Sequence, residues 1–433
     1  MKKERCIALL LALVMVMGLT ACGTSPSGSD DSSSDEEVNL VYWSMWNETE
    51  PQAQVIVEAT EAFMDTHPGV TIDIQWNGRE IRKTLQPAIE AGTTIDLWDE
   101  DLERVTKNWS QYALNLDSYL GNSYDSLGGA TYESLVNASM LDMARFFSAD
   151  GSVYAVPYQP MIVAVFYNRD LLAQVGVDSA PTTWEELDAA CAKLVEAGIT
   201  PLTIDDYYMD LPFSYHLARM KGTEWVSQLV NDKTGEMWDD PAVLQAAKDY
   251  EEFASKGYFS PNVASNVYPN GQYEVANGNV AMFLLNGTWL PNEVSSVAGE
   301  DFAWGAFAYP NVEGGVDDIY DNVYGSQAFQ ISKDCANPDV AFEYIAYITT
   351  GEWDAKMSAD TIGAPMGTSA EWPSEIADLK DILDNAETIY PWSCGFGDNS
   401  DVLAVMVSGF TRLISGQITA EDFVASLKDA AMK

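Results

Sequence analysis

Polar and apolar positions alternate along some stretches of the chain and recur every three or four residues along others. Val70-Thr71-Ile72-Asp73-Ile74-Gln75-Trp76 alternates residue by residue and predicts a strand, and Val38 to Trp43 is a second short β-rich run. Between them the pattern from Gln52 to Met64 is helical and stops before His67-Pro68-Gly69. A further helical run, Arg79 to Ala91, leads to Ile95-Asp96-Leu97-Trp98, a strand expected to end at Asp99-Glu100-Asp101. Strand, helix and strand at this spacing predict parallel βαβ units. Thr183 with Glu186 three residues on is a capping-box pattern, and it opens a helix on which Trp184, Leu187, Cys191 and Leu194 share one face. Asn337-Pro338 marks another helix start. At the N-terminus, Lys2, Lys3 and Arg5 precede an apolar run from Cys6 to Leu19, and its 14 residues fall short of the ~20 a helix needs to span a bilayer. Such a run reads as a secretory signal. The sequence has no internal repeat and no later run of that kind.

Composition narrows the classes. A length of 433 residues predicts two or three domains, and 47% hydrophobic with 20% charged residues fits a globular body. Acidic residues outnumber basic ones 66 to 22, for a net charge of −44, which repels nucleic-acid phosphates and anionic lipid alike. Two histidines, His67 and His216, leave little room for a multi-histidine metal site. Cysteine is too sparse for a disulfide framework. Cys191 is expected in the core, and Cys335 and Cys394 are expected to stay unpaired.

The apolar run closes on Leu19-Thr20-Ala21-Cys22, which resembles the bacterial lipobox. That resemblance implies a signal peptide over 1–21, a lipidated Cys22 bearing acyl chains such as palmitate, and a lipoprotein anchored at the extracellular face of the cytoplasmic membrane. Two or more chains suffice for stable anchoring. Residues 22–37 follow as an acidic, Ser-rich tether, in which five acidic side chains repel one another and no large apolar residue can seed a core.

Three blocks in the body carry a family resemblance. Val156-Pro157-Tyr158, Val165 to Leu172 and Ala180 to Leu187 form the first. Gly278 to Phe283 with Asn286-Gly287-Thr288-Trp289 forms the second, and Tyr309-Pro310-Asn311 with Ser332 to Tyr347 the third. In this order they resemble the family 1 extracellular solute-binding proteins of carbohydrate ABC transporters, of the maltodextrin-binding type. The resemblance implies an α/β fold of two lobes, type II, with a hinge and a ligand cleft between them. Lobe 1 would comprise 38–158 and 307–362, and lobe 2 would comprise 159–306 and 363–433, with crossings near 157–163, 303–310 and 361–367.

A sugar offers apolar C–H faces and a rim of hydroxyls, so its cleft needs aromatic plates and planar polar groups. Trp289 matches the family's stacking tryptophan. Trp46, Asn47 and Glu48 follow the first strand, where an open α/β sheet presents ligands. The resemblance adds Trp98 and Asp101 after the third strand, Asp206 and Tyr207 in the second lobe, and Trp392 before the last helices. One departure stands out: Met161 occupies the position where the maltodextrin-binding type carries a glutamate, so a hydroxyl partner is lost there.

These readings imply a monomeric, lipid-anchored receptor for a mono- or oligosaccharide. It would deliver its ligand to the transmembrane subunits of an ABC permease, ATP being hydrolysed on a separate subunit. No enzyme activity, cofactor, metal or nucleic-acid partner is expected. Three alternatives stay open at this point. A secreted glycosidase would need two carboxylates ~5–10 Å apart. A calcium-dependent adhesin would use the acidic run Asp96, Asp99, Glu100 and Asp101, whose spacing is not that of an EF-hand. A receptor for another polar solute would share the fold.

Overall fold

The computed structural model describes residues 37–433. Strand β1 (Val38–Ser44) runs into helix α1 (Pro51–Thr66), and strand β2 (Val70–Trp76) returns parallel to β1 in full register from Val38 opposite Val70 to Ser44 opposite Trp76. Helix α2 (Ile81–Glu90), preceded by a single 3-10 turn, leads to β3 (Leu97–Asp101), also parallel to β1. This βαβ start agrees with the polar and apolar pattern. The third strand does not, because it continues through Asp99, Glu100 and Asp101. Polar residues can stay in it because their side chains are buried with partners, as described below.

Beyond β3 the sheet is mainly antiparallel. Helix α3 (Leu102–Trp109) follows β3 directly, and β4 (Val156–Asn168) is the longest strand, with three partners. Helix α4 (Trp184–Glu196), β5 (Thr200–Thr203), β6 (Val280–Gly287), β7 (Trp304–Phe307), β8 (Tyr324–Ile331) and helix α5 (Pro338–Ile348) complete the elements needed here. The sheet order is β2-β1-β3-β8-β4-β6-β5, with β7 paired to β4. The first part of β4, Val156 to Ile162, pairs with β8, and the rest pairs with β6 and β7, all antiparallel.

Strand β4 therefore belongs to both halves of the sheet. Its register shifts between Tyr158 and Pro160, where Gln159 takes a left-handed φ of 51° and Pro160 has no N–H for the ladder. The Gln159 side chain donates from Nε2 to Thr361 Oγ1 at 2.7 Å, so the bend is held from the later segment around residue 361. The α4 start follows the sequence: Thr183 Oγ1 accepts the Glu186 N–H at 3.2 Å. Glu186 reciprocates one residue early, on the Thr182 N–H at 2.8 Å. Asn337 makes no side-chain cap, and Pro338 alone begins α5. Cys191 is buried, and Cys191, Cys335 and Cys394 are all free thiols.

No described helix is long and apolar enough to cross a membrane. The signal, Cys22 and nearly all of the tether lie outside the described residues.

Candidate ligand-binding cleft

The chain leaves β1 at Ser44 and places Trp46 at the edge of a cleft. The indole is fixed at several points. Its Nε1 donates to the Tyr158 hydroxyl at 2.7 Å, which in turn donates to Asp99 Oδ2 at 2.5 Å. Asp99 Oδ1 accepts the Met45 N–H at 3.0 Å, so the buried carboxylate ties the end of β1 to β4. Burial pushes the Asp99 carboxyl up to about 6, against the pull of these hydrogen bonds. From the other side the Arg79 guanidinium lies 4.6 Å from the Trp46 ring centroid, itself held in a fork by Glu50 at 2.8 and 2.9 Å.

Where β3 ends, Asp101 caps α3, its Oδ1 accepting the Arg104 N–H at 2.9 Å. Burial raises its carboxyl to about 6. Glu100, fully buried, accepts Arg82 Nε at 2.5 Å on Oε1, while its Oε2 lies 2.9 Å from Arg104 Nε in an ion pair without hydrogen-bond alignment. This is the wall of the cleft on the side of β3.

The opposite wall comes from the β6 half. Trp289 lies flat over Gly287, where a Cβ would sit 2.5 Å from the ring, so only glycine admits this pose. Its Nε1 donates to the Tyr208 hydroxyl at 3.1 Å. Tyr208 is buried, and its neighbour Tyr207 stands 68% exposed, their rings 5.2 Å apart edge to face. Trp392 is held by Asp210, whose Oδ2 accepts the indole N–H at 2.8 Å and the Ser393 hydroxyl at 2.5 Å. Burial raises the Asp210 carboxyl.

These walls enclose a cavity of about 550 Å³, bordered by Asp101, Arg82, Arg104, Tyr207, Trp289 and Trp392. A second of about 360 Å³ opens beside it under Trp46. Arg82, Met161, Trp289 and Gln327 border both, so the two form one continuous cleft with Met161 of β4 and Gln327 of β8 as its floor. Met161 reaches there over Gly325, whose missing Cβ would come within 2.8 Å of the methionine methyl. Volumes of this order suit a small-molecule ligand.

The structure thus brings Trp46, Asp101, Tyr207, Trp289 and Trp392 together. Four other residues expected at the cleft lie elsewhere. Trp98 is fully buried, its Nε1 donating to Gln330 Oε1 of the facing strand at 2.9 Å, so it is a core residue. Asn47 turns away over Gly78 and donates to Glu50 Oε2 at 2.9 Å. Glu48 is exposed beyond that turn, its carbonyl accepting Gln54 Nε2 at 2.5 Å. Asp206 is engaged by a distant loop, its Oδ1 accepting the Tyr268 N–H at 2.9 Å. The sequence reading missed Arg82, Arg104, Gln327 and the Asp99–Tyr158 pair. Both arginines look like ordinary solvated helix positions, and Gln327 is hidden within the apolar run of β8. Among the described residues no group of three or more His, Cys, Asp or Glu side chains could hold a metal ion.

The sheet is thus shared through one bent strand, with aromatic side chains on both walls of the cleft. Residues 46–355 match the family of bacterial extracellular solute-binding proteins, and the chain belongs to that family. A protein of Brucella abortus (strain 2308) described only as a binding protein is 26% identical over 319 residues, covering 70% of each chain. A lactose-binding protein of Rhizobium radiobacter is 22% identical over 309 residues, covering 69% of this chain and 68% of the relative. Among solved structures, a chitin oligosaccharide binding protein shares the fold with a TM-score of 0.64 at 21% identity, over 92% of this chain and 98% of its own. The apo-form of RafE from Streptococcus pneumoniae shares it with a TM-score of 0.72 at 17% identity, over 94% and 99%. The Brucella, Rhizobium and chitin oligosaccharide relatives are each described as binding proteins.

Proposed function

We propose that this chain is the carbohydrate-capturing component of an ABC importer. The observation that carries the reading is the convergence of Trp46, Tyr207, Trp289 and Trp392 on one cleft, with Gln327 and the Arg82 and Arg104 side chains between them. Aromatic faces suit the C–H faces of a pyranose, and the planar polar groups suit its hydroxyls. The names of the relatives, among them a lactose-binding protein and a chitin oligosaccharide binding protein, support a saccharide ligand.

In this reading 38–158 with 307–362 and 159–306 with 363–433 are the two lobes, and the bend of β4 at Gln159 is one of the hinge points. Ligand favours closure because only the closed state touches it from both walls. The closed protein then docks on the transmembrane permease. In the same reading Cys22 carries the lipid that keeps the protein at the extracellular face of the cytoplasmic membrane, and Cys22→Ser is expected to abolish both acylation and membrane attachment.

Thermal unfolding of the protein against a sugar panel, with each mixture checked for products, tests the reading. A ligand at 100 times its dissociation constant adds ~2.7 kcal/mol, enough to move the midpoint by several degrees. A shift with intact sugar supports a receptor. A shift with cleaved sugar makes the protein a glycosidase, and no shift across the panel turns the search to other polar solutes.

A further inference from the structure

The Arg82 and Arg104 side chains share one anchor. Glu100 is fully buried, and each of its oxygens meets one guanidinium, both through Nε. Neither arginine's terminal Nη groups donate a hydrogen bond to any described residue, and both side chains border the larger cavity. The same wall carries Lys107, one turn along α3 from Arg104. Each of its acids is engaged through one oxygen at least: Glu103 Oε1 receives Lys107 Nζ at 2.5 Å, Asp101 Oδ1 accepts the Arg104 N–H at 2.9 Å, and Glu100 is ion-paired with both guanidinia. Three cations stand against three carboxylates there, so the wall is neutral overall in a chain of net charge −44. What it presents to the cavity includes the free Nη donors of both arginines, next to the second oxygens of Asp101 and Glu103.

A neutral sugar hydroxyl both donates and accepts, whereas an ionised carboxylate only accepts and matches a guanidinium edge with two oxygens at once. A buried carboxylate that pairs with two guanidinia on their Nε sides leaves their NH2 ends free for such a group. Repulsion from the distant acidic surface is screened over about 8 Å at physiological ionic strength, so it does not offset contacts made inside the cleft.

We propose that the saccharide bound here is acidic, and that Arg82 and Arg104 together receive its carboxylate. The inference rests on the carbohydrate reading above and names the class of sugar within it. Bound ligand would lie with its acid group against the α3 wall and a ring face on Trp289 or Trp392 across the cavity.

Calorimetric titration of the full chain with matched pairs of sugars tests this. Digalacturonate is compared with galactobiose, and glucuronate with glucose, each pair differing only in carboxylate against hydroxymethyl. The acidic member of at least one pair is expected to bind about ten- to a hundredfold more tightly than its neutral partner. Arg104→Gln and Arg82→Gln should each erase most of that preference, while Arg104→Lys, which keeps the charge but loses the fork, should restore only part of it. Unfolding midpoints without ligand show whether a variant leaves Glu100 without support. The comparison on the unaltered protein stands even where a variant fails to fold. Equal binding within every pair, or preference for the neutral member, overturns the acidic assignment and leaves the carbohydrate reading in place. Binding of neither series overturns both.

Discussion

A Cβ at position 287 would collide with the Trp289 ring at 2.5 Å, so the pose of the indole depends on a residue that never touches ligand itself. Trp289→Ala removes the plate and is expected to weaken sugar binding by about 2 kcal/mol, roughly thirtyfold. Gly287→Ala should lose nearly as much affinity, by pushing the ring from its seat. Calorimetry on both variants checks the pair, and unchanged affinity in either one removes Trp289 from the binding surface. Trp98 supplies the contrast. Its ring is enclosed and its N–H is satisfied by Gln330, so Trp98→Ala should cost about 3–5 kcal/mol of stability in denaturant unfolding. A milder, volume-preserving Trp98→Phe should leave affinity intact. In sequence the two tryptophans look alike, each following a β-rich run. Strand pairing separates them: Trp98 sits in register opposite Gln330 inside the sheet, whereas Trp289 lies beyond the end of β6. Glycine at 287 was a visible signal for Trp289. Nothing local marked Trp98 as core, because its partner lies 232 residues away.

At the scale of elements, the wall of the cleft is built where β3 passes directly into α3. Asp101 stands at that junction, both capping the helix and facing the cavity. The two roles separate by substitution. Asp101→Ala removes the cap and should lower stability by about 1 kcal/mol, while Asp101→Asn keeps a good capping oxygen and should lower it little. If both variants are equally destabilised in urea titrations, the cap is not what Asp101 contributes. The periodicity of the chain foretold α1, β2 and α4 because each is decided by residues within its own turn or pleat. It foretold the start of β3 but not its end. A strand through Asp99, Glu100 and Asp101 makes sense only once Tyr158, Arg82 and Arg104 are in place to receive the acids, and those arrive from other elements. The antiparallel pairing of β3 with β8, and of β4 with β6, β7 and β8, was equally hidden, since long-range strand partners leave no short-range pattern.

For the whole molecule, the excess of acid is the dominant fact, and it acts on stability more than on the site. Asp99, Asp205 and Asp354 are buried, and burial pushes each carboxyl up to about 6 from an ordinary 3.8. In the unfolded chain all three ionise near 3.8. Between the two values the folded protein holds protons that the unfolded chain has released, so the folded state binds more protons there. Stability from these groups is therefore fully present at about pH 4 and is lost as pH rises through about 6. Moving from pH 7.5 to pH 5 should return on the order of 1 kcal/mol for each group. Partial neutralisation of a net charge of −44 acts in the same direction, by reducing self-repulsion. Carboxylates held down by hydrogen bonds, such as Asp150 and Asp232, set the lower limit, since their contribution disappears only as they protonate below their ordinary range. The expected outcome is an unfolding midpoint higher at pH 5 than at pH 7.5, measured by calorimetry at constant ionic strength. Asp99→Asn should shrink that difference, because the amide keeps a hydrogen-bonding group between Tyr158 and Met45 without a charge to desolvate. A midpoint that falls on acidification to pH 5 would show that ion pairs, and not buried carboxyls and surface repulsion, govern the stability of this acidic protein.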